Sequence, residues 1–174
     1  MRAGTILETE RLILREFRVT DVDALGAVLS DAETMRYYPA PFDRPAVEAW
    51  IERNRELYSM DGYGLWAMVL KSSEEMIGDC GLVQQEVEGA KLIEIGYHVR
   101  RDLWSKGLAT EAARACREFG FKKSNAEQLI SLIRPENQPS RRVAEKTGLT
   151  VWKETMWHGW PHLVYAIRRT SVNI

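Results

Sequence analysis

Two places in this sequence hold residues whose types and spacing could do chemistry, and a third holds a polar and basic cluster beside them. The first is the turn Trp104-Ser105-Lys106-Gly107-Leu108-Ala109-Thr110, which follows a strand-like run and opens a helical stripe. A small-residue turn entering a helix aims several backbone N–H groups one way, and the helix dipole adds partial positive charge, so it suits a phosphate. A plain strand-to-helix connection reads the same way from the turn alone. The second place is Leu92–Val99, where alternation puts Glu94, Gly96 and His98 on one face and Ile95, Tyr97 and Val99 on the other. A carboxylate and an imidazole can each accept a proton, and each is equally at home as a polar residue on a strand surface. The cluster is Asn137-Gln138-Pro139-Ser140-Arg141-Arg142, a helix start with Asn137 as N-cap and Ser140 as its third helical residue.

The elements that must position these groups can be read in order. Glu10–Phe17 is a first strand, and Thr20-Asp21-Val22-Asp23 resembles a capping box that starts a helix. The prolines of Tyr37-Tyr38-Pro39-Ala40-Pro41 break the pattern. A second helix begins near Asp43 with Val47, Trp50, Ile51, Leu57 and Tyr58 on one side and Asn54 as the polar exception. Leu65–Lys71 and Met76–Gln85 read as an antiparallel hairpin, followed by Leu92–Val99. Leu108, Ala112, Ala115, Cys116 and Phe119 stripe the central helix, and Gln128–Ile133 is an apolar run suited to a buried strand parallel to the one before that helix. The Asn137 helix stops at Gly148, and Thr150–Trp157 and Leu163–Arg169 complete the order. Strand, two helices, three strands, helix, strand, helix, two strands describe an α+β fold with a mixed sheet and one strand–helix–strand crossover.

Composition narrows the class of partner. Residues 1–174 suit a single domain large enough for its own core, and a formal net charge of −1 offers no general attraction to nucleic acid or an anionic membrane. No run is long and apolar enough for a membrane span or secretory leader, which makes a cytoplasmic location the expectation. Cys80 and Cys116 lack metal-type or CxxC spacing and sit among apolar neighbours, so neither a metal site nor a cysteine nucleophile is expected.

Four segments together resemble the GNAT acyltransferase superfamily. Trp104-Ser105-Lys106-Gly107-Leu108-Ala109 matches the family signature at Gly107 and Ala109, with tryptophan leading as in the branch similar to ribosomal-protein N-terminal acetyltransferases (RimJ/RimL-type). The others are Thr9–Arg15, Ile95-Gly96-Tyr97 and Asn137–Leu149. Ser105 stands where that branch has glycine, and Leu149 where phenylalanine is commoner. The resemblance implies a mostly antiparallel seven-stranded sheet flanked by about four helices, with a splayed central parallel pair. It implies an N-acetyltransferase moving the acetyl group of acetyl-CoA directly to a primary amine, on a protein N-terminus or a small molecule, without a metal. A non-catalytic acyl-CoA-binding module is the alternative. Oligomeric state is left at monomer or homodimer.

The same resemblance distributes the roles. Backbone groups of Ser105, Lys106, Gly107, Leu108, Ala109 and Thr110 would hold the pyrophosphate, with Trp104 leading the turn, and those of Tyr97, His98 and Val99 would pair with the pantetheine arm. Asn137, Ser140, Arg141 and Arg142 would lie against the cofactor, one of the arginines reaching its nucleotide phosphates. Glu94 is the first candidate base, with His98 on its face. Ser140 resembles the serine that protonates the leaving thiolate, and Tyr165 is the second candidate donor. The Tyr37-Tyr38-Pro39 segment and the loop Trp157-His158-Gly159-Trp160 fall where the family lines its acceptor site.

Overall fold

Alternating apolar runs separated by polar turns assemble here into one sheet with helices on both faces. The computed structural model describes residues 4–170, so the single-domain expectation over 1–174 extends past them at both ends. In chain order the elements are β1 (Thr5–Glu8), β2 (Leu12–Arg15), α1 (Val22–Leu29), α2 (Arg44–Met60), β3 (Leu65–Leu70), β4 (Met76–Val87) and β5 (Ala90–Val99), followed by α3 (Leu108–Lys123), β6 (Gln128–Ile133), α4 (Gln138–Lys146), β7 (Thr150–Trp157) and β8 (Trp160–Arg168). The sheet order is β1-β2-β3-β4-β5-β6-β8-β7, antiparallel except for β5 beside β6. The sheet therefore has eight strands rather than seven. The extra one, Thr5-Ile6-Leu7-Glu8, is too short to show alternation and takes its place only by pairing with β2.

The two faces of the sheet bury separate cores. From β3, Trp66 and Met68 face α3 together with Cys80, Leu82, Ile95 and Cys116, while Leu65, Ala67 and Val69 face α1 and α2 together with Leu25, Leu29 and Ile51. The Cys80 and Cys116 sulfurs, both buried, lie 3.6 Å apart between β4 and α3. Among the described residues no helix is long and apolar enough to cross a membrane.

Helix starts explain two polar residues. Asp43 caps α2, its carboxylate accepting the Ala46 N–H at 2.9 Å with Pro45 in the first turn. Before α1 the cap is not the Thr20 box: Asp21 accepts the Arg18 N–H at 2.7 Å and pairs with Arg15 at 2.7 Å. Asn54, polar on an apolar stripe, is buried because its amide donates to the Trp50 carbonyl and its oxygen accepts the Leu65 N–H at 2.7 Å, fixing α2 to the start of β3.

The feature that makes a site is the parting of β5 from β6. Their parallel pairing consists of Ile93↔Leu129 and Glu94↔Ile130. Past it, β5 stays paired to β4 as far as Val99↔Gly78, and β6 stays paired to β8 as far as Ile133↔Leu163. Each strand is thus held on its outer edge while the inner edges separate. At the fork, side chains replace the ladder: Ser131 Oγ donates to the Ile95 carbonyl at 2.8 Å, and Glu94 Oε1 accepts the Leu132 N–H at 3.1 Å.

Candidate active site

Two surfaces flank the fork, a main-chain turn on one side and a side-chain cleft on the other. In the turn, Gly107 (φ 77°) precedes α3 in the left-handed conformation, and the first intrahelical bond runs from the Glu111 N–H to the Gly107 carbonyl. The N–H groups of Leu108, Ala109 and Thr110 fall in the helix's unpaired first turn, which is what an anion requires. Ser105 also adopts a left-handed φ, of 62°. Where the related branch has glycine, this chain carries a Cβ in a conformation that disfavours one, at a cost of about 1–2 kcal/mol.

Long-range bonds hold the turn in shape. Glu111, in the first turn of α3, accepts from Thr9 Oγ1 at 2.6 Å, from the Arg11 N–H at 2.8 Å and from Arg11 Nε at 2.6 Å. Arg11 in turn donates to the Lys106 carbonyl at 2.9 Å. The carboxylate therefore does more than steady its own helix: it ties the β1–β2 connection to the turn, and against the opposing effect of burial the Thr9 hydroxyl, followed by the Arg11 donors and charge, holds it below the usual carboxylate range. Trp104 folds back so that its indole N–H donates to the Val99 carbonyl at 2.7 Å. That carbonyl, expected to be open for a pantetheine arm, is already an acceptor, and alternation along β5 leaves the main-chain groups of Tyr97 on the fork side and those of His98 toward β4.

The cleft, a cavity of about 480 Å³, is lined from both sides of the fork. Glu94, Tyr97 and His98 line it from β5, and Asn137 and Ser140 from the start of α4. Tyr37, Tyr38 and Trp50 form one wall and Trp157, His158 and Trp160 another, so the two segments expected at the acceptor site do converge. Trp66, by contrast, is core.

Glu94 and His98 share the cleft-facing side of β5 with different partners. Burial raises the Glu94 carboxyl above its ordinary range, partly offset by bonds from the Leu132 N–H and from the Gln85 amide at 2.8 Å. Burial alone would lower the His98 imidazole. Its Nδ1 lies 2.7 Å from Oδ1 of Asp79, a fully buried carboxylate, and that charge and hydrogen bond, with Glu94, turn the net shift upward. Trp50 Nε1 donates to the other Asp79 oxygen at 3.0 Å, and the Tyr38 hydroxyl meets His98 Nε2 at 2.6 Å. A carboxylate–imidazole–hydroxyl chain thus runs from the core into the cleft. Burial is the main reason the Tyr38 hydroxyl is raised above its ordinary range, with the Glu94 and Asp79 charges adding to it.

At the far side, the Asn137 side chain accepts the Ser140 N–H at 3.2 Å as the N-cap, and the Tyr97 hydroxyl donates to the Ser140 carbonyl at 2.8 Å. Two expectations change here. Tyr165 is buried outside the cleft lining, its hydroxyl donating to Glu145 and accepting from Arg141 Nε, both at 3.0 Å. Arg141, expected near nucleotide phosphates, turns inward to Tyr165 and the Pro135 carbonyl, because successive helical residues point about 100° apart. Arg142 is the exposed one of the pair.

Sequence reading missed Asp79 and Arg134. Each carried a signal, since a lone acid interrupts the apolar run Met76–Leu82 and an arginine ends the apolar run of β6. Comparison with known proteins completes the description. A family model described as "Acetyltransferase (GNAT) domain" matches residues 11–150. YkkB of Bacillus subtilis, an uncharacterized protein, is 36% identical, with 99% of this chain and 100% of that protein covered. YnaD of the same organism, an uncharacterized N-acetyltransferase, is 31% identical over 96% and 99%. Among solved structures, a GNAT-family acetyltransferase from Bacillus anthracis superposes with a TM-score of 0.79 at 27% identity, covering 93% of this chain and 97% of that one.

Proposed function

The chain belongs to the GNAT acetyltransferase family, and we propose that it carries the acetyl group of acetyl-CoA to a primary amine, on a protein N-terminus or a small molecule, by direct transfer within the β5–β6 fork. The observation that carries this reading is the fork itself. It opens between a turn suited to phosphate and a cleft that holds two proton acceptors, so donor and acceptor could meet end to end.

The residues fit the cofactor. The left-handed Gly107 and the unpaired first turn of α3 would seat its pyrophosphate, with the Glu111 charge already compensated by Arg11. Arg142, the exposed arginine of the pair, would reach the nucleotide phosphates, and the open inner edge of β5 at Tyr97 would take the pantetheine arm.

Transfer needs the amine uncharged, since its lone pair must form the new C–N bond as the C–S bond breaks. One proton leaves the ammonium before attack, the nitrogen loses a second as the amide forms, and the departing thiolate takes up one. Glu94 and His98 are the proton acceptors on the amine side. Burial makes the Glu94 carboxylate more basic, and the Asp79 partner does the same for the imidazole while fixing Nδ1 as the inward nitrogen. Ser140, at the head of α4 and on the cleft lining, is the proton donor to the thiolate. Holding both substrates in line within the fork supplies the remaining advantage.

Thiol release from acetyl-CoA, followed across a panel of peptides and small amines, tests this. Turnover on at least one class is expected. Tight cofactor binding with no thiol released on any amine would instead leave a non-catalytic acyl-CoA-binding module.

A further inference from the structure

The cleft is not chemically uniform. At the fork it presents Glu94, with Asp79 behind His98. Toward the β7–β8 hairpin it presents Arg134, which leaves β6 one residue past Ile133 and lines the cavity with Trp160 and His162.

Arg134 is held by stacking, and the ion pair recorded for it is to an exposed carboxylate. Its guanidinium carbon stands 4.5 Å from the centroid of the Trp160 ring, and only 19% of its side chain is exposed. Its Nε is buried without a hydrogen-bond partner among the described residues. The nearest carboxylate oxygen recorded for it, on Glu136, is 3.6 Å away, beyond hydrogen-bond length, on a side chain 59% exposed. His162 gives no compensation: its imidazole is held below its ordinary range, chiefly by burial and further by the Arg134 charge, so it stays neutral at neutral pH. The sealed Nε is out of a ligand's reach, but Arg134 lines the cavity with the planar Trp160 ring beneath its guanidinium, which holds the fork of donors in one plane. The chemistry that matches is a carboxylate.

We infer that the hairpin end of the cleft is an anion subsite built by Arg134 on Trp160, and that the acceptor is a small amine carrying a carboxylate on the same skeleton. This rests on the transferase reading above, which supplies the amine end. Both ends line one cavity. Leu132, whose N–H holds Glu94, lies two residues before Arg134, and both residues line it. An ammonium beside Glu94 and His98 and a carboxylate on Arg134 would then span the cleft.

The test compares amino acids with their own carboxamides, which keep the size and the amine but lose the anion. Wild type and Arg134→Met are assayed with acetyl-CoA, the methionine keeping an unbranched apolar stem over Trp160. The acid-to-amide ratio of kcat/KM is expected to fall about 10–100-fold in the variant, while the KM for acetyl-CoA holds. Arg134→Lys, a point charge without the fork, is expected to recover part of the ratio. Near-UV circular dichroism of the tryptophans checks that the variant is folded. Calorimetry with N-acetyl amino acids and their carboxamides gives a readout that needs no turnover. Arg134-dependent binding of the acid without acetylation would keep the subsite and sink the transferase reading. Acetylation of acids and amides at a ratio the variant does not change would overturn the subsite and leave the transferase intact. A loss confined to acetyl-CoA KM would also overturn it, reassigning Arg134 to the donor.

Discussion

The turn Trp104–Thr110 offers main-chain N–H groups from consecutive residues, whereas the cleft beside it is walled by side chains from α2, β5, the β6–α4 junction and the β7–β8 hairpin. The first surface depends on backbone conformation and hardly on which side chains flank it. The second depends on which side chains a shared register brings together. A backbone seat can serve one invariant ligand across many sequences, and a side-chain cleft can change its ligand by substitution. Under the proposed function, that difference would give donor binding to the turn and specificity to the cleft.

The largest effect should come from attacking the turn. Gly107→Glu forces a β-carbon into a left-handed position and puts a carboxylate where an anion belongs. Acetyl-CoA affinity by calorimetry is expected to fall about 100-fold or more with the far-UV spectrum unchanged. Retained affinity would break the division between the surfaces.

Next come the two proton acceptors, which sharpen the cleft side. Glu94→Gln is expected to lower kcat by about 10²–10³ with cofactor affinity intact. Asp79→Asn asks which group sets the acidic limb of kcat/KM. The Asp79 charge holds the His98 imidazole above its ordinary range, so in wild type the neutral base is lost as pH falls through that raised value. Without the carboxylate, burial prevails and the limb should move toward lower pH. A limb that stays put in Asp79→Asn assigns the proton to Glu94, whose buried carboxyl titrates above its own ordinary range. The smallest effect is expected at Ser105→Gly, which relieves a left-handed β-carbon. Stability should rise by up to about 1 kcal/mol, or roughly 2–4 °C in Tm, with cofactor affinity within about twofold.

The contrast also governs what could be read before the structure. The turn lies within contiguous residues, so Gly107, Ala109 and the helix stripe after them were legible as a strand-to-helix turn, and the resemblance marked it as a phosphate seat. The parallel crossover followed from the strand–helix–strand order, and its splay from the resemblance alone. The cleft's partners are far apart in sequence: Asp79 meets His98 across 19 positions, Trp50 meets Asp79 across 29 and Tyr38 meets His98 across 60. Only the β4–β5 register, Asp79↔His98, makes the first of these pairs. Tyr165 and Arg141 misled for a related reason. A hydroxyl and a guanidinium of suitable chemistry turned out to satisfy each other, which spacing cannot disclose. β1 was missed because four residues carry too little pattern.

The clamp on the turn has a consequence for the order in which the protein is completed. Thr9 and Arg11 reach Glu111 across 102 and 100 positions, and Arg11 reaches Lys106 across 95. Loops of that length close at an entropic cost that local helix formation does not repay, so such contacts form late. A chain being synthesised has its first strands long before the helix that they must grip. Under the proposed function, cofactor affinity would report a late long-range closure of the fold, and a partly folded chain with α3 already helical would still lack a shaped seat.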